Sequence, residues 1–405
     1  MILKQEKLII FLFFLFFTSS PFYLWESGFP QIYHIIGFVF FVLTLFNNIN
    51  KQKFISEYKV VLLFVFYVSG VNLTFFLLYK KASFLLSSLY YIYNVCILFA
   101  TVSLEKYIEL DVQKFFRKIY NISIMLLTLE IFMILFGFNK FMYDGNRFTG
   151  TFNDPNQFGH FTIWISIIAL LSNKISYNKW SFNIIVISLL IITTIFNLSR
   201  STTLAVFMII IYIIFDSLVR LKKQKEQGIN LQKFKKSNIV IINLIIFMLF
   251  YLLIENVQKK INLAEYMQFY IDRIEEAKKK NIKNFEERGY DRLIKFPQYL
   301  LFGSGEGFHE RWKNFDNTIR YTVEIHSTFA GILFYYGIIG LSLFFYFIIK
   351  IFRNIKDLLL KFLFMAPFLY SISTYNSRNT MFWIGISFFI LYSKLSRLNK
   401  AKNGS

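Results

Sequence analysis

Long apolar runs alternate with short polar breaks along most of the chain. The runs are about 17–25 residues long, which is the length that a helix needs to cross a hydrocarbon core of about 30 Å. Some breaks, such as those at 80–82 and 198–201, are only wide enough for a tight turn. We predict twelve transmembrane helices, near 7–24, 31–46, 59–79, 83–101, 118–138, 159–172, 181–197, 202–219, 238–254, 326–349, 358–375 and 379–394. The pattern therefore predicts an all-α polytopic membrane protein.

One polar segment, 255–325, is much longer than the others. It opens with a charged amphipathic stretch, typical of a solvated helix, and closes with FPQYLLFGSGEGFHERW. The glycines of GSGEGF are a weak signal for phosphate binding, because no strand precedes them and no Gly-Lys-Ser/Thr follows. We predict helices 1–9 within 1–254, a large, partly helical external loop at 255–325, helices 10–12 within 326–394 and a basic tail at 395–405.

Composition supports a membrane protein, and the charge distribution orients it. The 405 residues are 56% hydrophobic and 17% charged, against about 45–50% and about 25% in soluble domains. With the N-terminus in the cytoplasm, 26 Lys and Arg fall in cytoplasmic segments and 6 in short external connections. This asymmetry is the positive-inside rule, which long loops obey poorly. The net charge of +21 thus reflects topology, with both termini cytoplasmic, and does not indicate a nucleic-acid partner.

Neither metal nor disulfide chemistry is indicated. Cys96 has no second cysteine to pair with, and the four histidines form no metal-ligand motif. We therefore expect no metal and no cofactor. The first apolar run has no small-residue cleavage site, so we interpret it as a retained helix and not as a signal peptide.

The predicted orientation brings the polar motifs to the outer face. These motifs are RFTGTFNDPNQFGHF at 147–161, NLSRS at 197–201, the long loop, His326 where the chain re-enters the membrane, and YNSRN at 375–379. Arginines beside helix ends concentrate on this face, so a binding site is expected there.

Each motif also has a structural interpretation. Asp154-Pro155 is typical of a helix start, with Asn153 or Asp154 as the cap. Capping does not explain Arg147 and Asn156, which with a helix start would form an anion site.

Arg200 is equally consistent with a snorkelling anchor. Its Ser, Thr and Asn neighbours favour a phosphate or sugar contact. A lone interfacial histidine such as His326 is usually structural, but this one shares a face with the arginines. Glu130 lies inside a span, where it either is functional or pairs with an Arg or a hydroxyl.

Four elements in this order resemble the O-antigen polymerase and O-antigen ligase superfamily of bacteria. They are Arg147–Gly159, Ser199–Ser201, an Arg-Pro-Phe-Gly-x-Gly series in the long loop, and a histidine, here His326, at the start of the next helix. Either Arg288 or Arg292 matches the loop arginine ahead of Pro297, and both stay open. Ser327 stands where the family more often has Asn.

The resemblance implies a multi-spanning, GT-C-like glycosyltransferase of the bacterial plasma membrane. Its substrate would be an undecaprenyl-diphosphate-linked oligosaccharide, polymerised at the outer face into O-antigen or capsular polysaccharide. Arginines can replace a metal in stabilising a diphosphate leaving group, and a histidine is a suitable base near neutral pH. We expect His326 to be catalytic, either as the general base or by orienting the acceptor. The expected substrate contacts are Arg147, Arg200, Arg288, Arg292, Asp154, Asn156 and, more weakly, Arg378.

Two alternatives remain at this point. A ligase would transfer the polymer to a lipid A core sugar, and the Asp-Pro-Asn-x-Phe-Gly stretch inclines us toward the polymerase. A flippase or other transporter would be expected to have internal repeats and polar broken helices at the midplane, and no repeat is evident. A chain-length regulator and a flippase are the expected protein partners.

Overall fold

A computed structural model describes residues 2–25, 30–47, 51–108, 111–136, 143–144, 147–226, 282–319 and 323–403 of the chain. The predicted span 238–254 and the start of the predicted loop, 255–281, lie outside them. The first half of the molecule comprises helices α1 (Ile2–Ser19), α2 (Ile32–Phe46), α3 (Lys51–Tyr79), α4 (Ser83–Ser103), α5 (Glu105–Ile108), α6 (Val112–Phe136), α7 (Pro155–Ser176), α8 (Trp180–Asn197) and α9 (Arg200–Glu226). Two short antiparallel strands, β1 (Tyr143–Asp144) and β2 (Arg147–Phe148), precede α7.

The second half begins with short loop helices and ends in long ones. These are α10 (Ile282–Glu287), α11 (Asp291–Lys295), a 3₁₀ turn (Pro297–Tyr299), α12 (Arg311–Phe315), α13 (Thr328–Asn354), α14 (Leu358–Ser371) and α15 (Thr380–Asn403). The described part of the predicted loop is thus partly helical.

The protein is an all-α, multi-pass membrane protein. Within the described ranges, six helices are long and apolar enough to cross a membrane, in α3, α4, α7, α8, α9 and α13. Shorter apolar helices occur at Ile32–Phe46, Leu358–Ser371 and Thr380–Ser396. All eleven predicted apolar segments that fall on described residues are predominantly helical. The total of twelve spans stays a prediction.

Helix α7 lies at the centre of the bundle. It packs against α6, α8, α9, α14 and α15, and almost all of it is buried. A helix that is apolar on every side is stable only when surrounded, and the sequence FTIWISIIALL meets that condition. Gly385 of α15 allows the closest approach, because a Cβ there would overlap the ring of Trp164.

The connections form two polar layers at opposite ends of the bundle. At one end, the segment after α1 contacts the segment before α7, since the Tyr23 N–H donates to the Thr151 carbonyl at 3.2 Å. At the opposite end, Lys174 lies 2.5 Å from Asp357 and 3.6 Å from Asp216. Lys174 thus joins α7, α9 and α14.

Helix α13 is broken at Gly337, where φ is +64°. Residues of the preceding loop fill the break. The Ile338 N–H donates to the Leu300 carbonyl at 2.8 Å, and the Ser304 and Gly305 N–H groups donate to carbonyls of α13 at 3.0 and 2.9 Å. Gly337 lies within a helix that is long and apolar enough to cross a membrane. Non-helical backbone inside such a span is tolerated where it is buried in protein. The glycine-rich motif thus docks the loop onto a helix, a structural role that the sequence did not indicate.

Candidate functional site

A sharp turn between α8 and α9 forms the floor of the candidate site. Helix α8 ends at Asn197, Leu198 adopts a left-handed conformation with φ of +52°, and α9 begins at Arg200. The Ser199 hydroxyl accepts from the Thr202 N–H at 3.4 Å and so caps the start of α9. The polar residues of NLSRS are therefore partly explained by capping. The Arg200 side chain, which is half-buried, is not part of the cap.

Arg147 reaches this turn from the short hairpin before α7. Its Nε donates to the Asn197 carbonyl at 3.2 Å, and one terminal nitrogen donates to the Asn156 side-chain oxygen at 3.1 Å. The Asn197 amide in turn donates to the Pro155 carbonyl. The motifs at 147–161 and 197–201 are thus one structural unit, held together by the residues predicted to bind substrate.

Gly159 is needed where α7 crosses this turn. A Cβ at this position would lie 2.4 Å from the Thr202 hydroxyl oxygen and 2.9 Å from the Asn197 side-chain oxygen. These two polar atoms are 3.0 Å apart and share a hydrogen bond. A larger residue would therefore push the start of α7 away from the α8–α9 turn.

Asp154 has the capping role that the sequence predicts. Its carboxylate accepts from the N–H groups of Asn156 at 2.6 Å and Gln157 at 3.2 Å. It also lies near enough to His326 to favour protonation of that imidazole. The same carboxylate therefore caps α7 and acts electrostatically on the imidazole of His326.

Arg288 approaches the turn from the other side. One of its terminal nitrogens donates to the Ser373 carbonyl at 3.4 Å, and the Ser373 hydroxyl shares a hydrogen bond with the hydroxyl of Ser201, the residue after Arg200. Arg147 and Arg288 thus flank the turn that carries Arg200. We call Arg147, Arg200, Arg288 and His326 the arginine site.

His326 is fixed by its backbone just ahead of α13. Its N–H donates to the Arg288 carbonyl at 3.0 Å, and its carbonyl accepts from the Tyr290 hydroxyl at 2.7 Å. Burial, helped by the nearby Arg288 and Arg292 guanidinium groups, lowers the pKa of the imidazole below its usual value, and Asp154 opposes this shift. The ring is therefore neutral at pH 7 and able to accept a proton.

Arg292 lies in the interior of the loop. It is fully buried and donates to the Val323 carbonyl. A Cβ at Gly289, where φ is +70°, would overlap the Arg292 guanidinium, so the glycine makes room for this side chain. Of the two arginines that match the family position, only Arg288 contacts the residues around the α8–α9 turn, whereas Arg292 packs within the loop.

Arg378 belongs to a separate buried network. Its guanidinium lies 2.9 Å from a Glu306 oxygen and 2.6 Å from a Glu324 oxygen. The Glu306 carboxylate also accepts from the hydroxyls of Tyr336 at 2.5 Å and Tyr375 at 2.9 Å. The arrangement joins the loop to α13 and to the α14–α15 turn. Among the described residues, the ion-pair partners of Arg378 are therefore these carboxylates, and neither of them belongs to the arginine site.

Two residues of structural importance were missed by the sequence reasoning. Arg311 is buried with its guanidinium 4.4–5.5 Å from the ring centres of Phe75, Tyr79, Phe84 and Trp312. It donates to the Ser304 carbonyl at 2.6 Å and so holds the glycine-rich turn. Burial lowers its pKa to about 10, which leaves it cationic at neutral pH. Aromatic residues spaced along α3 and α4 were the available signal.

Tyr370 is the other missed residue. Its hydroxyl donates to the Asn156 carbonyl at 2.5 Å and anchors α14 beneath the start of α7.

Inside the bundle, the Glu130 carboxylate accepts from the Thr151 hydroxyl at 2.6 Å. Of the two interpretations of Glu130, the hydroxyl-paired one is the observed geometry.

Among the residues that the structure describes, no cluster of three or more His, Cys, Asp or Glu could hold a metal ion. The charged groups that the arginine site offers instead are guanidinium groups, which are suited to anions. No protein-family model and no curated protein matches the sequence.

Proposed function

We propose that the protein is a glycosyltransferase that polymerises lipid-diphosphate-linked oligosaccharide repeats into a bacterial surface polysaccharide. In this proposal the chain has twelve spans in a GT-C-like arrangement, lies in the plasma membrane and has both termini in the cytoplasm. The arginine site faces the outer side. The donor is an undecaprenyl-diphosphate-linked oligosaccharide, as the resemblance implies, and the product is O-antigen or capsule.

The main support is the grouping of three arginines around one helix start. Arg200 is the first residue of α9, and Arg147 donates to the Asn197 carbonyl of the α8–α9 turn. Arg288 donates to the Ser373 carbonyl, and the Ser373 hydroxyl is bonded to that of Ser201. Guanidinium groups bind phosphate oxygens in a bidentate manner, and a helix N-terminus favours an anion. The site groups three guanidinium groups with the Asp154 carboxylate, and clustered guanidinium groups suit a diphosphate.

The neutral His326 supplies the second requirement of the reaction. In the proposed step, an acceptor sugar hydroxyl attacks the anomeric carbon of the donor, and the bond from that carbon to the diphosphate oxygen breaks. The hydroxyl proton passes to the imidazole, and the arginines stabilise the charge that develops on the leaving diphosphate. Asp154 then stabilises the resulting imidazolium, since its carboxylate favours the protonated form.

The ligase alternative uses the same site with a different acceptor. The transport alternative gains one observation, the break of α13 at Gly337, because broken helices occur at the binding sites of transporters. Loop residues fill that break: the Leu300 carbonyl accepts from the Ile338 N–H, and the Ser304 and Gly305 N–H groups donate to the carbonyls of Phe334 and Tyr335. These backbone groups are bonded within the protein and are not offered to a substrate, so we favour the enzyme.

A complementation experiment distinguishes these functions. A strain that lacks the gene receives the wild-type gene or His326→Ala, and extracted surface polysaccharide is compared on a gel. Single repeats on the lipid core would support a polymerase, and full-length polymer retained on the lipid carrier would support a ligase. An unchanged ladder with His326→Ala would contradict the enzymatic proposal, provided that immunoblotting finds equal protein in the membrane.

A further inference from the structure

A groove between α1 and the beginning of α6 lies at the end of the bundle opposite the arginine site. Its volume is about 490 Å³, within the range of about 300–1,000 Å³ that is typical of small-molecule sites. Ile10, Phe11 and Phe14 of α1 form one wall. Phe11 is 59% exposed and lies in the span predicted from the sequence at 7–24. In that span an exposed phenylalanine faces hydrocarbon, so we infer that the groove opens toward lipid.

Three lysines surround the polar end of this groove. Lys7 lies one turn before Phe11 on α1, and Lys114 and Lys118 lie one turn apart on α6. The Lys118 ammonium is 5.6 Å from the ring centre of Phe14. This geometry lets the stem of the lysine cover the apolar wall while its charge reaches the membrane surface.

The lysines are largely uncompensated by the acidic groups around them. Asp111 lies 3.8 Å from Lys114, but both side chains are more than half exposed, and such pairs contribute little. Glu6 lies near Tyr107, and Glu105 lies 3.3 Å from Lys394, which offsets its charge. Of the residues that line the groove, three are lysines and one, Asp111, is a carboxylate, so the lining is net positive beside an apolar wall.

We propose that this groove binds an anionic phospholipid of the surrounding membrane. The phosphate group contacts Lys7, Lys114 and Lys118, and an acyl chain lies along Ile10, Phe11 and Phe14. Basic pockets between membrane helices are suited to anionic headgroups, and the apolar wall explains why a lipid fits better than a soluble phosphate. The inference is independent of the proposed glycosyl transfer.

The test measures lipid retention by the intact protein. Full-length protein in a mild detergent is incubated with equal amounts of phosphatidylglycerol and phosphatidylcholine, and bound lipids are counted by native mass spectrometry. The groove variant carries Lys7→Gln, Lys114→Gln and Lys118→Gln. The control carries Lys59→Gln, Lys179→Gln and Lys356→Gln, which removes three exposed lysines from the same end of the bundle but outside the groove.

We expect the wild type and the control to retain phosphatidylglycerol in preference to phosphatidylcholine. In the groove variant the affinity for the most tightly bound phosphatidylglycerol should fall by about tenfold or more, since each lysine near an anionic headgroup contributes substantially. Thermal unfolding midpoints identify any variant that is misfolded, and Lys118→Gln alone then serves as a milder substitution.

Three results would overturn the proposal. The first is a wild-type protein with no preference for phosphatidylglycerol. The second is an equal loss in the groove variant and the control, which would indicate a general charge effect. The third is displacement of phosphatidylglycerol by millimolar inorganic phosphate, which would indicate a phosphate site without a role for the acyl chain.

Discussion

The backbone N–H of His326 donates to the carbonyl of Arg288 at 3.0 Å, so the proposed base and the loop arginine form one unit. Arg288 in turn contacts Ser373, whose hydroxyl is bonded to that of Ser201. Hydrogen bonds thereby connect the loop before α13, the segment after α14 and the start of α9. A loop that moved away from the bundle would take His326 and Arg288 with it, and the site would be incomplete.

Replacing Arg200 tests whether the start of α9 binds the leaving diphosphate. Arg200→Ala should lower chain extension by about 10²–10³-fold, the usual effect of removing one donor that stabilises developing charge. Arg200→Lys should restore only part of the activity, because a point charge cannot make the two parallel hydrogen bonds of a guanidinium. Polymer length on gels and initial rates with a lipid-linked donor measure both effects. Full activity of Arg200→Ala would exclude the role.

The pH dependence of activity tests His326 as the base through its neighbours. Burial and Arg288 lower the pKa of His326, whereas Asp154 raises it. Activity should therefore fall as pH decreases through this lowered pKa. Arg288→Gln should move the acidic limb of the profile to higher pH, and Asp154→Asn should move it to lower pH. Asn caps a helix as well as Asp does, so the second substitution preserves the start of α7.

Shifts in the same direction for both variants would contradict the assignment of His326. His326→Ala serves as the control, because the acidic limb should disappear together with about 10²–10⁴-fold of the rate. The shifts are measured as the pH of half-maximal rate, which a purely structural defect would not move in opposite directions.

The sequence predicted the helices and the meeting of the polar motifs on one face, because hydropathy and charge bias act along the chain. It also predicted a cap at Asn153 or Asp154, a local interaction that the structure assigns to Asp154. It did not predict that Arg378 pairs with Glu306 or that loop residues fill the break at Gly337. Those contacts join segments far apart in sequence, and a single sequence carries no local signal for them. The choice between Arg288 and Arg292 likewise depends on how the loop folds.

The two loop arginines should therefore differ in what their replacement affects. Arg288→Gln should lower activity with little change in the thermal unfolding midpoint, since its side chain is only partly buried. Arg292→Gln should lower the midpoint, because Arg292 is fully buried and donates to the Val323 carbonyl. Losing a hydrogen bond of a charged group typically costs about 1.5–3 kcal/mol. If Arg292→Gln kept its unfolding midpoint and lost activity, Arg292 and not Arg288 would be assigned to the site.

The buried Glu306–Arg378 pair should stabilise the docked loop. Arg378→Gln leaves the fully buried Glu306 carboxylate without its cation, and breaking a buried pair typically costs about 3–5 kcal/mol. Adding Glu306→Gln should recover part of this loss, because a neutral amide can still bond to the Tyr336 and Tyr375 hydroxyls. Thermal unfolding of the single and double variants measures the coupling. Additive losses would indicate that the two residues do not interact.

Gly337 offers the sharpest test of the broken helix. Its φ of +64° disfavours any residue with a Cβ, and a Cβ there would lie 2.2 Å from the Leu301 carbonyl oxygen. Gly337→Ala should therefore destabilise the protein by more than the roughly 1–3 kcal/mol that such a rarely populated backbone conformation costs by itself. Gly70→Ala is the matched control, since a Cβ at Gly70 meets no atom within 4 Å and alanine favours a helix by about 0.5–1 kcal/mol. If α13 were continuous, both substitutions would raise the free energy of unfolding. The rate at which a protease cleaves the loop would then be the same in Gly337→Ala as in the wild type.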